Sequence, residues 1–439
     1  MIRSLFTRRG ATAVAAATIG LTGMSLAFAG AAGAAPSATL IVGSGSQTSY
    51  AVMTSLSNVF DNAAGCDLTA TTSSPSTLNC GTTTFAPGSV GGEQGFNVSH
   101  ENPYNDFTVQ APAIGSGNGR TALLASGAGT PTQQIDYARS SSYSTSPGPT
   151  VNFVQYATDG VSWTTFSKYK GVATAQAKIV NITTANLKLI MNDTLSCKVG
   201  GLTVKMDWRC LGATTAGHID CYMAQTGSGT YSTWSGYLGF TGAPACVNDN
   251  VNGDTTGAKH SNLFENQMST IYGQTDAKYA IYFMSLGKYT TTCPLGVCAG
   301  TSTTTLTTLG KIDGIAATKA TVQGSGGGLG VTFPVVRGLY NVYNNSTAIV
   351  PSSQATLNFA SERGFLCKAG TTTDIDPSTG VSFRTDIENA IKAQGFFPLD
   401  VAGATFPQGS VTNPAVITDA GYAAIDPVSA KGFCLVSHG

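Results

Sequence analysis

The sequence predicts an α/β fold with mixed, mostly parallel sheets. Two observations carry this. Short apolar runs of strand length alternate with stretches whose apolar residues recur every three or four positions, the spacing of one helix face. At three places, a run of strand character passes through a glycine-rich turn into a helix pattern. These turns are Gly43-Ser44-Gly45-Ser46, Gly115-Ser116-Gly117-Asn118-Gly119 and Gly227-Ser228-Gly229-Thr230.

Residues 1–34 stand apart from the fold. Arg3, Arg8 and Arg9 precede an apolar run from Ala11 to Phe28, and Ala32-Gly33-Ala34 offers small residues for cleavage. This is the pattern of a secretory signal peptide. Gly and Thr interrupt the run, which reads against a membrane-spanning helix. Arg8-Arg9 leaves Sec and twin-arginine export both open. No cysteine lies near the cut, so no lipid anchor of the lipoprotein type is expected.

Thr39–Val42 reads as the first strand, followed by a helix with Val52, Met53, Leu56, Val59 and Phe60 on one side. Residues 62–95 are polar and read as a surface excursion. Phe107–Gln110 is the next strand; it leads through the second glycine turn into a helix over Arg120–Leu124. Ile135–Ala138 and Val151–Ala157 are further short strands. Thr183 is placed to cap a helix carrying Leu187, Ile190 and Met191. Tyr222–Ala224 is a strand feeding the third glycine turn, and Tyr231, Trp234 and Leu238 then mark a helix. Helix and strand follow over 263–289, and strand and turn over 299–331. Phe333–Tyr343 is a strongly apolar strand. Ser352–Phe365 and Ser382–Ala393 are amphipathic helices.

Of the 439 residues, 42% are hydrophobic and 10% charged, with a formal net charge of zero. The apolar content argues for a packed core rather than disorder. Without its leader the chain is slightly acidic, which excludes nucleic acid as a partner class. Beyond the leader no apolar run is long enough to span a bilayer. All 10 cysteines follow the leader, an even count that suggests disulfides in an exported chain. Cys66 with Cys80 and Cys293 with Cys298 are the local pairs. Cys197, Cys210, Cys221 and Cys246 leave three pairings open, and Cys367 and Cys434 would join the C-terminal segments. There is no CxxC pair, and His100, His218, His260 and His438 are scattered, so neither a metal nor a cofactor is expected.

A glycine-rich turn opening a helix aims unpaired backbone N–H groups at one spot, where the helix dipole adds positive charge. One such turn is a weak sign of anion binding; three are stronger. Trp163, Trp208 and Trp234 are read as core residues rather than as the lining of a cleft.

Together these stretches resemble the substrate-binding proteins of phosphate ABC transporters. The resemblance covers most of the chain after the leader, apart from the cysteine-bearing insertions. It rests on the three glycine turns, on Ile135-Asp136-Tyr137-Ala138-Arg139-Ser140-Ser141, on Asn181–Lys188 and on Phe333–Tyr340. The resemblance implies a type II periplasmic-binding-protein fold, with two α/β lobes joined by a two-strand hinge and closing on an anion. Lobe one would comprise residues 36–157 and 335–439, and lobe two residues 158–334. The crossings would lie near Gln155-Tyr156-Ala157 and Val335-Val336-Arg337.

Carried over residue by residue, the resemblance implies ligand contacts from Ser46, Gln47 and Thr48, and from Ser116 and Gly117. It adds Ser140 and Ser141 at the end of the third strand, and Ser228, Gly229 and Thr230 from the other lobe. The chain departs from the family pattern in two ways. Ser141 stands where the family has an aspartate, and Ala224 and Thr226 stand where it has an arginine and an aspartate. That aspartate accepts a hydrogen bond from protonated phosphate and repels fully ionised sulfate, so its loss removes one basis for selectivity. Arg139 is the candidate replacement cation, since a guanidinium fork suits a tetrahedral oxyanion. Its alternative is a structural arginine at a strand end.

The expected function is an exported, monomeric solute-binding protein for phosphate or a related oxyanion, serving an ABC permease and lacking catalysis. Two alternatives stand beside it. A secreted hydrolase would need a nucleophile setting; Gly43-Ser44-Gly45-Ser46 is not the G-x-S-x-G elbow, and no histidine sits in a triad context. A surface or adhesive protein could keep the fold and have lost its ligand.

Overall fold

Val151–Tyr169 is one continuous strand of 19 residues, and the described fold is organised along it. The computed structural model describes residues 43–62, 115–125, 135–144, 151–248, 263, 265–274, 276–323, 332–344, 359–360, 365–367, 375–376, 379–399 and 434–438. The expected leader at 1–34, the strands expected at Thr39–Val42 and Phe107–Gln110, nearly all of the excursion expected at 62–95 with Cys66 and Cys80, and most of the helix expected at Ser352–Phe365 lie outside the described residues.

In chain order the elements that position the site are β1 (Gly43–Gly45), α1 (Tyr50–Asn62), α2 (Ser116–Ala125), β2 (Tyr137–Ser140) and β3 (Val151–Tyr169). They continue with α3 (Thr184–Met191), β4 (Asp220–Cys221), α4 (Gly229–Leu238), β5 (Ala280–Ser285), α5 (Leu286–Thr292) and β6 (Leu306–Leu309). The last are β7 (Val336–Asn344), α6 (Phe383–Ala393), β8 (Phe397–Pro398) and β9 (Leu435–His438). The principal sheet runs β1-β2-β7-β3-β5-β4, with β6, β8 and β9 also pairing to β3.

This is an α/β architecture with a mixed sheet. The β1–β2 and β4–β5 ladders are parallel, as expected of strand–turn–helix units. Every named partner of β3 is antiparallel to it, so the sheet is less parallel than the sequence suggests. The reason is the length of β3. It does not stop at Ala157 but runs on to Tyr169, and its two halves take different neighbours. Val151–Gly160 pairs with β7, while Val161–Thr164 pairs with β5.

Both halves bury both faces of the sheet, as the two-residue period of a strand requires. In the first half, Val154 and Tyr156 pack with Val52, Met53, Leu56 and Phe60 of α1 and Ile387 and Ile391 of α6. Val151 and Phe153 face the other way, toward Ala122 and Leu123 of α2. In the second half, Ile281 and Phe283 of β5 join the core of α3 and α4, whereas Tyr282 and Met284 pack with Met268 and Ile271. Trp163, Trp208 and Trp234 are fully buried in the α3–α4 core, with Trp234 stacked on Phe283 at a centroid distance of 4.0 Å.

The helix starts follow their caps. Thr183 accepts from the Asn186 amide ahead of α3, and Ser382 accepts from the Thr385 amide ahead of α6. The strand expected at Tyr222–Ala224 is shifted: β4 covers Asp220–Cys221, and Ala224 makes a single bridge to Leu263. Four disulfides join Cys197–Cys210, Cys221–Cys246, Cys293–Cys298 and Cys367–Cys434. This selects one of the three pairings that the sequence left open. No helix among the described residues is long and apolar enough to cross a membrane.

The Cys367–Cys434 bond closes a separation of 67 residues and sits in the α1–α6 core. Replacing both cysteines by serine should cost about 2–4 kcal/mol, mainly by freeing the unfolded chain. Urea unfolding checks this, and an unchanged midpoint would contradict it.

Candidate functional site

The three glycine turns meet. The Gly115 amide donates to the Gly45 carbonyl at 3.1 Å, and the Gly117 amide to the Gly227 carbonyl at 2.9 Å. Side chains would prevent this approach. A Cβ on Gly115, whose φ is +93°, would lie 2.5 Å from the Gly227 carbonyl oxygen. A Cβ on Gly229 would lie 2.2 Å from Ser141 Oγ and 2.5 Å from Ser116 Oγ. Because α1, α2 and α4 each follow one turn, their N-terminal ends gather in one place.

Hydroxyl groups line the junction. Ser46, Thr48, Ser116, Ser141, Ser228 and Thr230 are each no more than 1% exposed. Ser46 Oγ lies 2.9 Å from Ser141 Oγ, and Ser116 Oγ lies 3.3 Å from Ser141 Oγ while accepting from the Ser141 amide at 2.9 Å. Ser228 caps α4, accepting from the amides of Thr230 and Tyr231.

At the centre lies a carboxylate, that of Glu265. One oxygen, Oε1, accepts from the Thr48 amide at 3.1 Å and from Ser46 Oγ at 3.2 Å. The other, Oε2, accepts from the Thr230 amide at 3.1 Å and from Ser228 Oγ. Glu265 is 1% exposed. Burial alone would raise its pKa. The positive charge of Arg337, the Ser228 hydroxyl and the two backbone amides outweigh burial and hold the carboxyl below its ordinary value. Asn266, next in the chain at φ +65°, fixes the approach. Its Nδ2 donates to Thr48 Oγ1 at 2.8 Å, and its Oδ1 accepts from the Ser285 amide at 2.8 Å. Asparagine tolerates this left-handed conformation better than most residues.

Arg337 supplies the cation. It stands opposite Asp159 in the β7–β3 ladder, and both side chains are buried. Its Nε and Nη2 bond Asp159 at 3.0 and 2.9 Å. Its Nη1 reaches Thr230 Oγ1 at 2.9 Å and Ser141 Oγ at 3.3 Å, and its Nη2 reaches Thr48 Oγ1 at 3.3 Å. One guanidinium thus touches the first turn, the end of β2 and the start of α4. Lys288, in the first turn of α5, is pushed down to about 8 by burial, a fall that the charges of Asp159 and Glu265 partly offset.

The remaining expected residues are placed less centrally. The Gly117 amide is spent on the Gly227 carbonyl. Gln47 lends its carbonyl to the Tyr50 amide at the start of α1, and its Oε1 is buried without a hydrogen-bond partner. Ser140 Oγ donates to the Ser142 carbonyl and accepts from Arg120. Arg139, the candidate cation, donates instead to the carbonyls of Ser46 and Gly43 at 3.3 and 3.1 Å and lies over the Tyr50 ring. The β1–β2 pairing sets it beside these two carbonyls, so it braces the first turn. Sequence reasoning missed Glu265, Arg337 and Asp159 as site residues. A charge in the middle of an apolar strand was the available signal for Arg337; Asp159 and Glu265 gave none.

A cleft of about 440 Å³ borders the junction, lined by Gly117, Arg120, Thr226 and Gly227 among others. No group of three or more His, Cys, Asp or Glu among the described residues could hold a metal ion.

No family model matches the chain, and no curated protein matches it. Several solved structures are similar at low identity. One, from Clostridium perfringens, is described as a phosphate ABC transporter substrate-binding protein with bound phosphate. It is 13% identical, with a TM-score of 0.44, covering 82% of this chain and 99% of that one. An ABC-type phosphate transport receptor from Vibrio cholerae is 14% identical, with a TM-score of 0.38, covering 72% and 90%. A phosphate-binding protein from Stenotrophomonas maltophilia is 13% identical, with a TM-score of 0.41, covering 82% and 91%. Likeness at this level concerns the fold alone, and no binding property of this chain follows from it.

Gly229→Ala should force apart the start of α4 and the serines it touches, at a cost of about 1–3 kcal/mol. Thermal unfolding reads this, and an unchanged midpoint would show that the turns are not tightly packed. Acid gives a second check. A carboxyl held below its ordinary value contributes stability that is complete above 4.5 and drains away as pH falls through the lower folded value. The native chain should therefore lose more stability than Glu265→Gln as pH drops below about 5. Parallel losses in urea titrations would contradict the assignment.

Proposed function

We propose that the chain is an exported solute-binding protein that takes phosphate or a related oxyanion where the glycine turns meet. In this reading, residues 36–157 and 335–439 form one lobe and 158–334 the other. β3 and β7 are the hinge, and a membrane ABC permease reads the closed form. The single observation that carries the proposal is the convergence of two backbone amides and two hydroxyls on one buried carboxylate, with four further buried hydroxyls and a buried guanidinium gathered around it. Donors so arranged, away from water, are a receptor for an anion. A phosphoryl oxyanion offers more acceptor oxygens than a carboxylate, and Arg337 and Ser141 would meet the additional ones by exchanging the bond they make to each other.

The arrangement favours binding over catalysis. Glu265, which accepts from Ser46 and Ser228, is held ionised and is a weak base. The disulfides fit an oxidising compartment, which agrees with the secretory leader read at 1–34.

A second reading has an observation of its own. The anion in the site belongs to the chain itself. A surface protein that keeps the fold and satisfies the old receptor internally would look like this.

Calorimetric titration of the protein, unfolded and refolded to remove any carried ligand, separates the two. The proposal expects saturable heat with phosphate and a raised thermal midpoint at excess ligand. No heat with phosphate, sulfate or a phosphonate would leave the second reading.

A further inference from the structure

We propose that Glu265 is a tethered anion that decides access to the site: an external oxyanion binds by displacing its carboxylate, and removing that carboxylate turns the native chain into a markedly tighter oxyanion binder. This rests on reading the junction as an oxyanion seat.

Three features of the geometry lead here. The first is occupancy. Thr48 N, Ser46 Oγ, Thr230 N and Ser228 Oγ all point at the two Glu265 oxygens. A ligand cannot use those four donors while the carboxylate keeps them, so ligand and side chain compete for the same hydrogen bonds. The effective concentration of a tethered group is set by its chain rather than by the solution. Weak external anions therefore lose to it, and a multivalent oxyanion must gain enough from Arg337 and Ser141 to win.

The second is charge. The Arg337–Asp159 ion pair is internally neutral. Lys288 lies close enough for its charge to act on both Asp159 and Glu265, and at neutral pH it is mainly protonated. Glu265 is the negative charge that balances it. Without Glu265 the buried cluster carries an excess positive charge, and a buried charge without a partner is strongly unfavourable. An anion from solution would relieve it.

The third is the anchor. Glu265 does not reach the seat as a free arm. Asn266 ties the adjoining backbone to Thr48 on one side and to the start of α5, at Ser285, on the other. Thr48 belongs to the first turn, whereas Ser285 ends β5, and Ser228 and Thr230 start α4, which packs on β5. The Glu265-Asn266 pair thus bonds the two sets of donors together as an interposed ligand would. Displacing the carboxylate need not break the Asn266 bonds.

The test uses the full chain and two variants, Glu265→Ala and Glu265→Gln. The alanine empties the seat. The glutamine keeps its shape but sets an NH2 against either the Thr48 or the Thr230 N–H donor, while its oxygen accepts from the other. Each is titrated with inorganic phosphate, sulfate and formate, with thermal midpoints read alongside. The expected result is phosphate affinity at least ten-fold higher in Glu265→Ala than in the native chain. Formate, a carboxylate without the tether, should raise the midpoint of the alanine variant and not that of the native protein. If Glu265→Ala folds only with added anion, that dependence is itself the expected result, and Glu265→Gln supplies the affinity comparison.

Equal phosphate affinities for native and variant chains would overturn the inference while leaving the proposed function standing. Binding by the variants alone would support the inference and assign the native chain to the second reading. Folded variants that bind none of the three anions, with midpoints unmoved, would overturn both the inference and the reading of the junction as an oxyanion seat.

Discussion

A guanidinium buried without partners would destabilise any fold, and Arg337 is completely buried. Its surroundings are arranged to satisfy it. β7 sets it opposite Asp159 on β3, and the remaining N–H groups reach Ser141, Thr230 and Thr48. Those contacts come from three separate stretches of chain. The arginine therefore locks the first turn, the end of β2 and the start of α4 around one point. It also gives that point a positive potential, which helps hold the Glu265 carboxyl below its ordinary value although burial alone would raise it.

The glycines make this convergence possible. Main-chain amides become anion ligands only when backbones approach closely, and at Gly115 and Gly229 a single extra carbon would meet oxygen atoms at less than 3 Å. Small hydroxyl residues then fill what space remains. The first and third turns supply the Thr48 and Thr230 amides, the second supplies the Ser116 hydroxyl, and the long strand β3 is the frame that holds them. Its first half is packed against α1 and α6, and its second half leads into the core of α3 and α4.

Much of this was legible in the sequence. Val52, Met53, Leu56 and Phe60 announce α1, Thr183 and Ser382 mark their helix starts, and the glycine turns mark where backbones come together. These are local signals, read within a few residues. The extent of β3 was not legible, because Thr158-Asp159-Gly160 resembles a strand end, and only pairing with β7 and β5 keeps it extended. Arg139 and Arg337 show the same limit. Both lie in strands beside small residues, and pattern alone gave the anion-facing role to the first. The β1–β2 ladder sets Arg139 on the Gly43 and Ser46 carbonyls, while Arg337, paired with the cross-strand Asp159, reaches the hydroxyls. Glu265 reaches the site from more than 200 positions away from Ser46, a contact with no local trace.

The account turns on electrostatic coupling between Arg337 and Glu265 across a shared cage of hydroxyls and amides. A double-mutant cycle measures that coupling directly, with Arg337→Met, Glu265→Gln and the double variant compared by urea unfolding at neutral pH. The account predicts that the double variant is more stable than the sum of the single losses allows, by about 1–3 kcal/mol, the range for residues in one buried network. Additive losses, agreeing within about 0.5 kcal/mol, would mean that the two charges do not share a site and would contradict it.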